Sequence, residues 1–502
     1  MAFDDQKQKE NSELRKKRRK KEQAQAFVVL LAAILVVIMV VSIVVSGVNV
    51  LLGSKQKDKN AEIAKQETTN VTQESSNQKN DSEMTTDTSD ANNDDVNSDD
   101  VNNDDANSAE TEAVETEEDG AKAELTEEEQ EAQKAKMLQA YVEEVLSTLS
   151  LEEKIGQMFL ATPMNITGVA DAKQAGSTTS AAISDYAIGG ILFDESNIDD
   201  KEQFSLMIDN IRSFSKLKMF YALCDEGGED SPLSLSGIRE NPISTQSEIA
   251  TVGISEAYSV GISKSSEFRS LGINLNLAPM ADVSTNASSS IASRSFGDSV
   301  SEVLSLARSE FKGMNDQNVD CCVKYFPGHG DVTGDTKTTR VTSKRTKEEL
   351  EENEGIIFKG LIEDGVQMIM VSHISMPEII GDNTPSSLSS KMVTDILRTE
   401  WGFDGVVVTD YMSKNAITRF YKHADASVMA VKAGVDMIAV PGDFDKSYNG
   451  LLKAVQDGEI SEERINESVI RILKMKYRNV INYDVESETD ATDEAEVSEE
   501  TE

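Results

Sequence analysis

From Met137 to Asn482 short apolar runs alternate with amphipathic helical windows, and this alternation restricts the fold more than any other feature. Parallel strands that re-enter a sheet from the same end need a crossover between them, and a helix is the usual crossover. The runs expected as strands are 156–160, 189–193, 219–225, 274–279, 321–326, 368–373, 405–410 and 437–441. Helical spacing marks 303–314, 347–362, 391–401 and 462–477. In 389–401, Met392, Ile396 and Leu397 share one face, while Lys391, Asp395, Arg398 and Glu400 are expected to stay wet. In 462–477, Ile465, Val469, Ile472 and Leu473 recur at helical spacing. Eight strands with helices between them predict an α/β fold, a (β/α)8 TIM-type barrel over residues 137–482.

The flanks read differently. Residues 1–26 are polar and carry the basic cluster Arg15-Lys16-Lys17-Arg18-Arg19-Lys20-Lys21, whereas 27–52 contain no charged residue. That apolar run exceeds the ~20 residues a bilayer-spanning helix requires. A cleaved signal peptide, the competing reading, has an apolar core of only about 7–15 residues and then a small-residue site. The run and its basic flank therefore predict one transmembrane anchor in the lipid bilayer, a cytoplasmic N-terminus and an extracellular domain on the cell membrane. Residues 53–136 are rich in Asn, Asp, Ser, Thr and Glu, and 483–502 are again acidic. Both are expected to be disordered, because they hold too little apolar surface to offset their ordering entropy.

The net charge of −41, from 90 Asp+Glu against 49 Lys+Arg, argues against nucleic acid as a partner. The three cysteines, Cys224, Cys321 and Cys322, lie in apolar runs and read as small buried hydrophobes rather than a disulfide framework. No Cys/His spacing suggests a metal site, and no cofactor is expected.

Polar chemistry gathers where strands end. The stretch Lys324-Tyr325-Phe326-Pro327-Gly328-His329-Gly330-Asp331-Val332-Thr333-Gly334-Asp335-Thr336-Lys337 leaves an apolar run and breaks at Pro327-Gly328. Asp225, His373 and Asp410 close other candidate strands, and Asp282 follows a fourth. Ionisable groups from several strands meeting at the C-terminal rim of a barrel suggest a site. A helix N-cap at Asp410, an ion pair at Arg294 and a satisfied core histidine at His373 are the bland alternatives.

These segments resemble family 3 glycoside hydrolases, especially their single-domain β-N-acetylglucosaminidases. That family typically reads Lys-His-Phe-Pro-Gly-His-Gly, a spacer, then Asp-Ser-His or Asp-Thr-His; here Tyr325 and Lys337 replace two of the histidines. Ser150 to Phe159 resembles the family's opening, and Ile188-Gly189-Gly190-Ile191-Leu192-Phe193 its second strand. Leu271 to Asn274, Ala278 to Val283 and Arg294-Ser295-Phe296-Gly297 form a further similar block. Trp401 through Asp410 resembles the nucleophile strand. The resemblance implies Asp410 as nucleophile of a retaining glycosidase acting on β-linked N-acetylhexosamine, with carbohydrate such as cell-wall glycan as substrate. It implies Asp335 and the residue at 337 as the proton-transfer pair, so Lys337 stands in the catalytic histidine's place. It implies sugar contacts at Asp282, Arg294, Lys324, Tyr325, His329 and His373. The family's Asp-Gln-Glu-Gly-Gly aligns with Cys224-Asp225-Glu226-Gly227-Gly228, so Cys224 stands where the sugar-binding Asp belongs, and a one-residue slip would let Asp225 serve. A lysine beside a carboxylate holds its proton, which makes Lys337 a poor acid. A catalytically impaired sugar-binding pseudo-hydrolase is the alternative.

Overall fold

A computed structural model of the chain describes residues 126–479. The basic segment 1–26, the anchor expected at 27–52, most of the acidic linker and the tail expected at 483–502 lie outside the described residues. Among the described residues no helix is long and apolar enough to cross a membrane.

Eight parallel strands form the centre: β1 Phe159–Ala161, β2 Gly190–Leu192, β3 Phe220–Leu223, β4 Leu275–Asn276, β5 Asp320–Phe326, β6 Met368–Val371, β7 Val406–Thr409 and β8 Ile438–Ala439. Their order, β7-β6-β5-β4-β3-β2-β1-β8, follows the chain apart from the step that brings β8 beside β1. The circle closes between β7 and β8, where Met437 pairs in parallel with Val408 and the Thr409 N–H donates to the Met437 carbonyl at 3.0 Å. Every residue of these strands is buried, as a sheet covered on both faces requires. The (β/α)8 expectation holds.

Boundaries differ in three places. β1 begins at Phe159, not 156, because Ser150 and Glu153 form a reciprocal cap that starts the helix Leu151–Gln157. Gly156 permits that helix to approach Tyr186, whose carbonyl oxygen would lie 1.5 Å from an added Cβ. The stretch 347–362 is two helices, Lys347–Glu352 and Glu354–Glu363, interrupted at Asn353. The helix Glu127–Ser147 covers residues 127–136, which composition assigned to the disordered linker. Thr126 and Glu129 cap it reciprocally, and Tyr141 stands edge-on to Tyr477 of the helix Glu462–Tyr477, ring centres 5.1 Å apart.

Packing around the barrel is close. The helices Ile254–Leu271 and Val300–Asn315 approach through Gly261 and Gly313, where an added Cβ would sit 2.4 and 2.3 Å from the facing backbone. Between the same helices Lys264 and Glu310 form a fully buried ion pair at 2.8 Å. In the helix Lys391–Glu400 the expected apolar face is buried, but Arg398 is not wet. Its guanidinium donates to the carbonyls of Phe403, Gly405 and Gly434 and pairs with Asp436, tying the helix to the β7 and β8 entrances.

Candidate active site

The C-terminal strand ends surround a cavity of about 790 Å³, within the range of small-ligand sites. Its walls include Cys224, Glu226, Arg294, Tyr325, His329, Asp335, Lys337, Tyr411 and Lys414.

Asp410 follows β7 directly and is 1% exposed. Its Oδ1 accepts the Tyr411 N–H at 2.7 Å, and its Oδ2 accepts the Lys414 ammonium at 2.6 Å. Burial pushes this carboxyl up, but Lys414, with His373 behind it, brings it down to about 2, so Asp410 is ionised at neutral pH. The carboxylate is one side chain deep: its two partners, Tyr411 and Lys414, form the cavity wall.

His373, expected at the sugar, lies behind Asp410 and is fully buried. Its Nε2 faces the Tyr411 carbonyl at 3.1 Å and its Nδ1 faces Ser387 Oγ at 2.8 Å. A carbonyl only accepts, so Nε2 carries the proton and Nδ1 accepts from the serine. Burial lowers this imidazole to about 4. It is a satisfied core histidine that supports the Tyr411 backbone.

The segment after β5 supplies the opposite wall. Tyr325 stands at the cavity with Lys324 and Lys414 ammonium groups 5.2 and 5.6 Å from its ring centre. His329 is 4% exposed, and neither ring nitrogen has a hydrogen-bond partner among the described residues. Burial lowers it to about 4, so it is a neutral donor–acceptor facing the cavity. Asp335 and Lys337 both line the space, but Asp335 Oδ1 accepts the backbone N–H of Lys337 at 2.7 Å. The Lys337 side chain is exposed. The loop is pinned to the other wall by the Ala416 N–H on the Thr336 carbonyl, at 3.0 Å.

Two further expected sugar contacts, besides His373, lie elsewhere. Asp282 is 1% exposed and clamps the loop from behind, accepting the N–H groups of Tyr325 at 2.9 Å and His329 at 2.5 Å. Burial raises it to about 7, against the pull of those two donors. Asp225 is fully buried and faces away from the cavity, paired with Arg239 at 2.7 Å. Adjacent residues leaving a strand face opposite ways, so Cys224 takes the cavity side and Asp225 cannot slip into its place.

Lys324 is fully buried, its ammonium 2.9 Å from Cys224 Sγ and 2.6 Å from Glu226 Oε1. Arg294 grips the same Glu226 carboxylate with Nε at 2.7 Å and Nη2 at 2.6 Å. Glu226 and Lys414 were missed in the sequence reading. Lys414 had a signal, the i, i+4 spacing from Asp410; Glu226 had only its place in the strand-end cluster.

The family model for the glycosyl hydrolase family 3 N terminal domain matches residues 150–475. The chain belongs to glycosyl hydrolase family 3. Among the relatives, the beta-hexosaminidase A of Pseudoalteromonas piscicida is 28% identical over 331 residues, 59% of this chain and 54% of that one. The beta-hexosaminidase of Methylococcus capsulatus is 29% identical over 255 residues, 51% of this chain and 75% of that one. A family 3 beta-N-acetylglucosaminidase structure from Paenibacillus sp. str. FPU-7 superposes with a TM-score of 0.62 at 32% identity, over 66% of this chain and 63% of that one. The family 3 chain thus spans about half the length of the Pseudoalteromonas relative and under two thirds of the Paenibacillus one.

Proposed function

We propose that this chain is a membrane-anchored, extracellular glycoside hydrolase that removes terminal β-linked N-acetylhexosamine, N-acetylglucosamine above all, from glycans such as cell-wall fragments. The relatives named beta-hexosaminidase and beta-N-acetylglucosaminidase support the substrate class. The uncharged run 27–52 behind a basic cluster supports the anchor.

The observation that carries the reading is the ionised Asp410 carboxylate at the mouth of a strand, one side chain behind a cavity wall. In a retaining mechanism this carboxylate attacks the anomeric carbon to give a glycosyl-enzyme, which water then opens. His329 and Arg294 are placed to hold sugar hydroxyls, the first as a neutral donor–acceptor and the second as a charge-assisted donor. Turnover of 4-nitrophenyl N-acetyl-β-glucosaminide tests the activity, and a 5-fluoro-N-acetylglucosaminyl donor tests the nucleophile. The trapped label maps to the peptide carrying Asp410; a label on another residue removes the assignment.

One observation favours a second reading: the nucleophile is occupied by Lys414, and Lys337 stands apart from Asp335's carboxylate except through its own backbone. A pseudo-hydrolase binds N-acetylglucosamine oligomers in calorimetry and releases no product from any aryl glycoside.

A further inference from the structure

We propose that the end of the barrel opposite Asp410 carries a second binding site, one that takes a phosphate group borne on a sugar. Such a site is independent of what the active cavity does.

A cavity of about 710 Å³, nearly as large as the one at the strand ends, opens where β3, β4 and β5 begin. Its walls include Arg212 near the end of the helix Lys201–Phe214, Lys216 and Lys218 in the segment that leads into β3, and Lys476 near the end of the helix Glu462–Tyr477. Four cations thus converge in a chain whose net charge is −41. Among the described residues the lining holds one carboxylate, Asp320, and Arg478 already donates to it from Nε at 3.0 Å.

The cations rest on rings instead of acids. Arg212 lies over Tyr221 at 5.2 Å, Lys218 over Tyr477 at 5.8 Å and Lys476 over Phe220 at 5.1 Å. Arg212 also pairs with Asp209, but Lys216, Lys218 and Lys476 meet no carboxylate among the described residues.

Lys476 reaches deepest. It is 7% exposed, and its ammonium donates to Gln157 Oε1 at 2.7 Å, which uses one of its three donors. Burial lowers this ammonium to about 7. A cation inside the protein without an acid costs stability, so packing does not account for it. An anion in the cavity would supply the missing partner and favour the charged form.

The ligand's chemistry follows from the walls. Three ammonium groups and a guanidinium around one space suit a compact dianion, which a phosphate monoester is and a single carboxylate is not. The net charge repels a long polyanion, so one phosphate is favoured over a nucleic acid. The cavity is far larger than a phosphate alone, and Tyr141, still 39% exposed at its wall, offers ring and hydroxyl to a sugar.

The experiment titrates the full chain with glucose 6-phosphate and with glucose by calorimetry at low salt. It is repeated on the double variant Lys216→Gln/Lys218→Gln, on Lys476→Met and on Arg294→Met. Wild type is expected to bind glucose 6-phosphate with a Kd of about 1 mM or tighter, and glucose without measurable heat. The double variant and Lys476→Met each lose about tenfold or more in affinity, since each removes charge-assisted contacts, while Arg294→Met, at the active cavity, binds as wild type does. Melting curves check that the variants are folded; the double variant alters only exposed side chains. No binding by wild type, or equal binding by wild type and the double variant, overturns the site. Loss in Arg294→Met alone puts the phosphate in the active cavity and overturns it too. The acidic segment that follows Asn479 is the rival occupant. Binding that appears only in the variant Asp484→Asn/Glu486→Gln/Glu488→Gln/Asp490→Asn means that this segment fills the cavity, and the phosphate site falls.

Discussion

Glu226 accepts the buried ammonium of Lys324 at 2.6 Å and, on the same oxygen, the Arg294 guanidinium at 2.6 Å. One carboxylate thereby holds two cations at the wall of the cavity. Burial pushes Glu226 up, but the two cations prevail and keep it well below the usual carboxylate range. Lys324 has no other carboxylate in contact among the described residues, so removing the charge strands an ammonium inside the protein. Glu226→Gln is expected to cost roughly 3–5 kcal/mol in urea unfolding. The sign with pH follows from the depressed value: this contribution is complete above the unfolded pKa and fades as pH falls below about 4.

Asp225, one residue earlier, serves the fold. Its carboxylate receives Arg239, which also pairs with Glu267 at 2.7 Å, and the cavity does not reach it. Asp225→Ala is expected to lower the melting temperature by several degrees, as a loss of about 2–3 kcal/mol in a buried pair would. KM for an aryl N-acetylglucosaminide should rise by no more than about threefold, because Asp225 meets the cavity only indirectly, accepting the Gly227 N–H at 2.8 Å and holding Arg239 against Ser231. A large rise in KM would place Asp225 at the sugar after all.

The resemblance to the family puts Lys337 where a histidine is expected, and its contact with Asp335 is through its backbone N–H. Lys337→Ala keeps that N–H and hence the turn. Its kcat is expected to stay within about threefold of wild type on an aryl glycoside, while Lys337→Pro, which removes the N–H, disturbs the loop. A loss of about 100-fold or more in Lys337→Ala would restore the side chain to the chemistry.

His329 and His373 are two of the chain's three histidines, and both are held near 4 by burial. Their folded values lie below the unfolded one, so the neutral form is favoured by folding. The stability they contribute is present above about pH 6.5 and is lost as pH falls toward 4. Ring-nitrogen NMR should therefore show two neutral imidazoles down to about pH 5. A bend in kcat/KM between pH 6 and 8 is then expected from Asp282, which burial raises to about 7 and which clamps the Tyr325 and His329 backbone, and not from either ring. A titration of either ring near 6.5 would contradict its burial.

The barrel was legible because its signal is local. Eight apolar runs long enough for strands recur with helical windows among them, and all eight runs became strands. The misread boundaries have local causes as well: the Ser150–Glu153 cap takes 156–157 into a helix, and the Thr126–Glu129 cap extends helix into a segment whose composition alone looks unfoldable. Strand-end position also pointed to Asp410, Tyr325 and His329, which the structure brings around one cavity or directly behind its wall.

By itself the sequence determined the fold class, the rim at which ionisable groups collect, and the family. Hydrophobic period and caps are properties of a few neighbouring residues, so they can be read along the chain. Only the tertiary structure decided which side of each strand end faces the cavity. Alternation says that Cys224 and Asp225 point oppositely, but strand pairing and barrel closure choose between them. The structure likewise turned Asp282 and His373 into supports and set Lys414 against Asp410, because such contacts depend on how separate strands and loops meet in space.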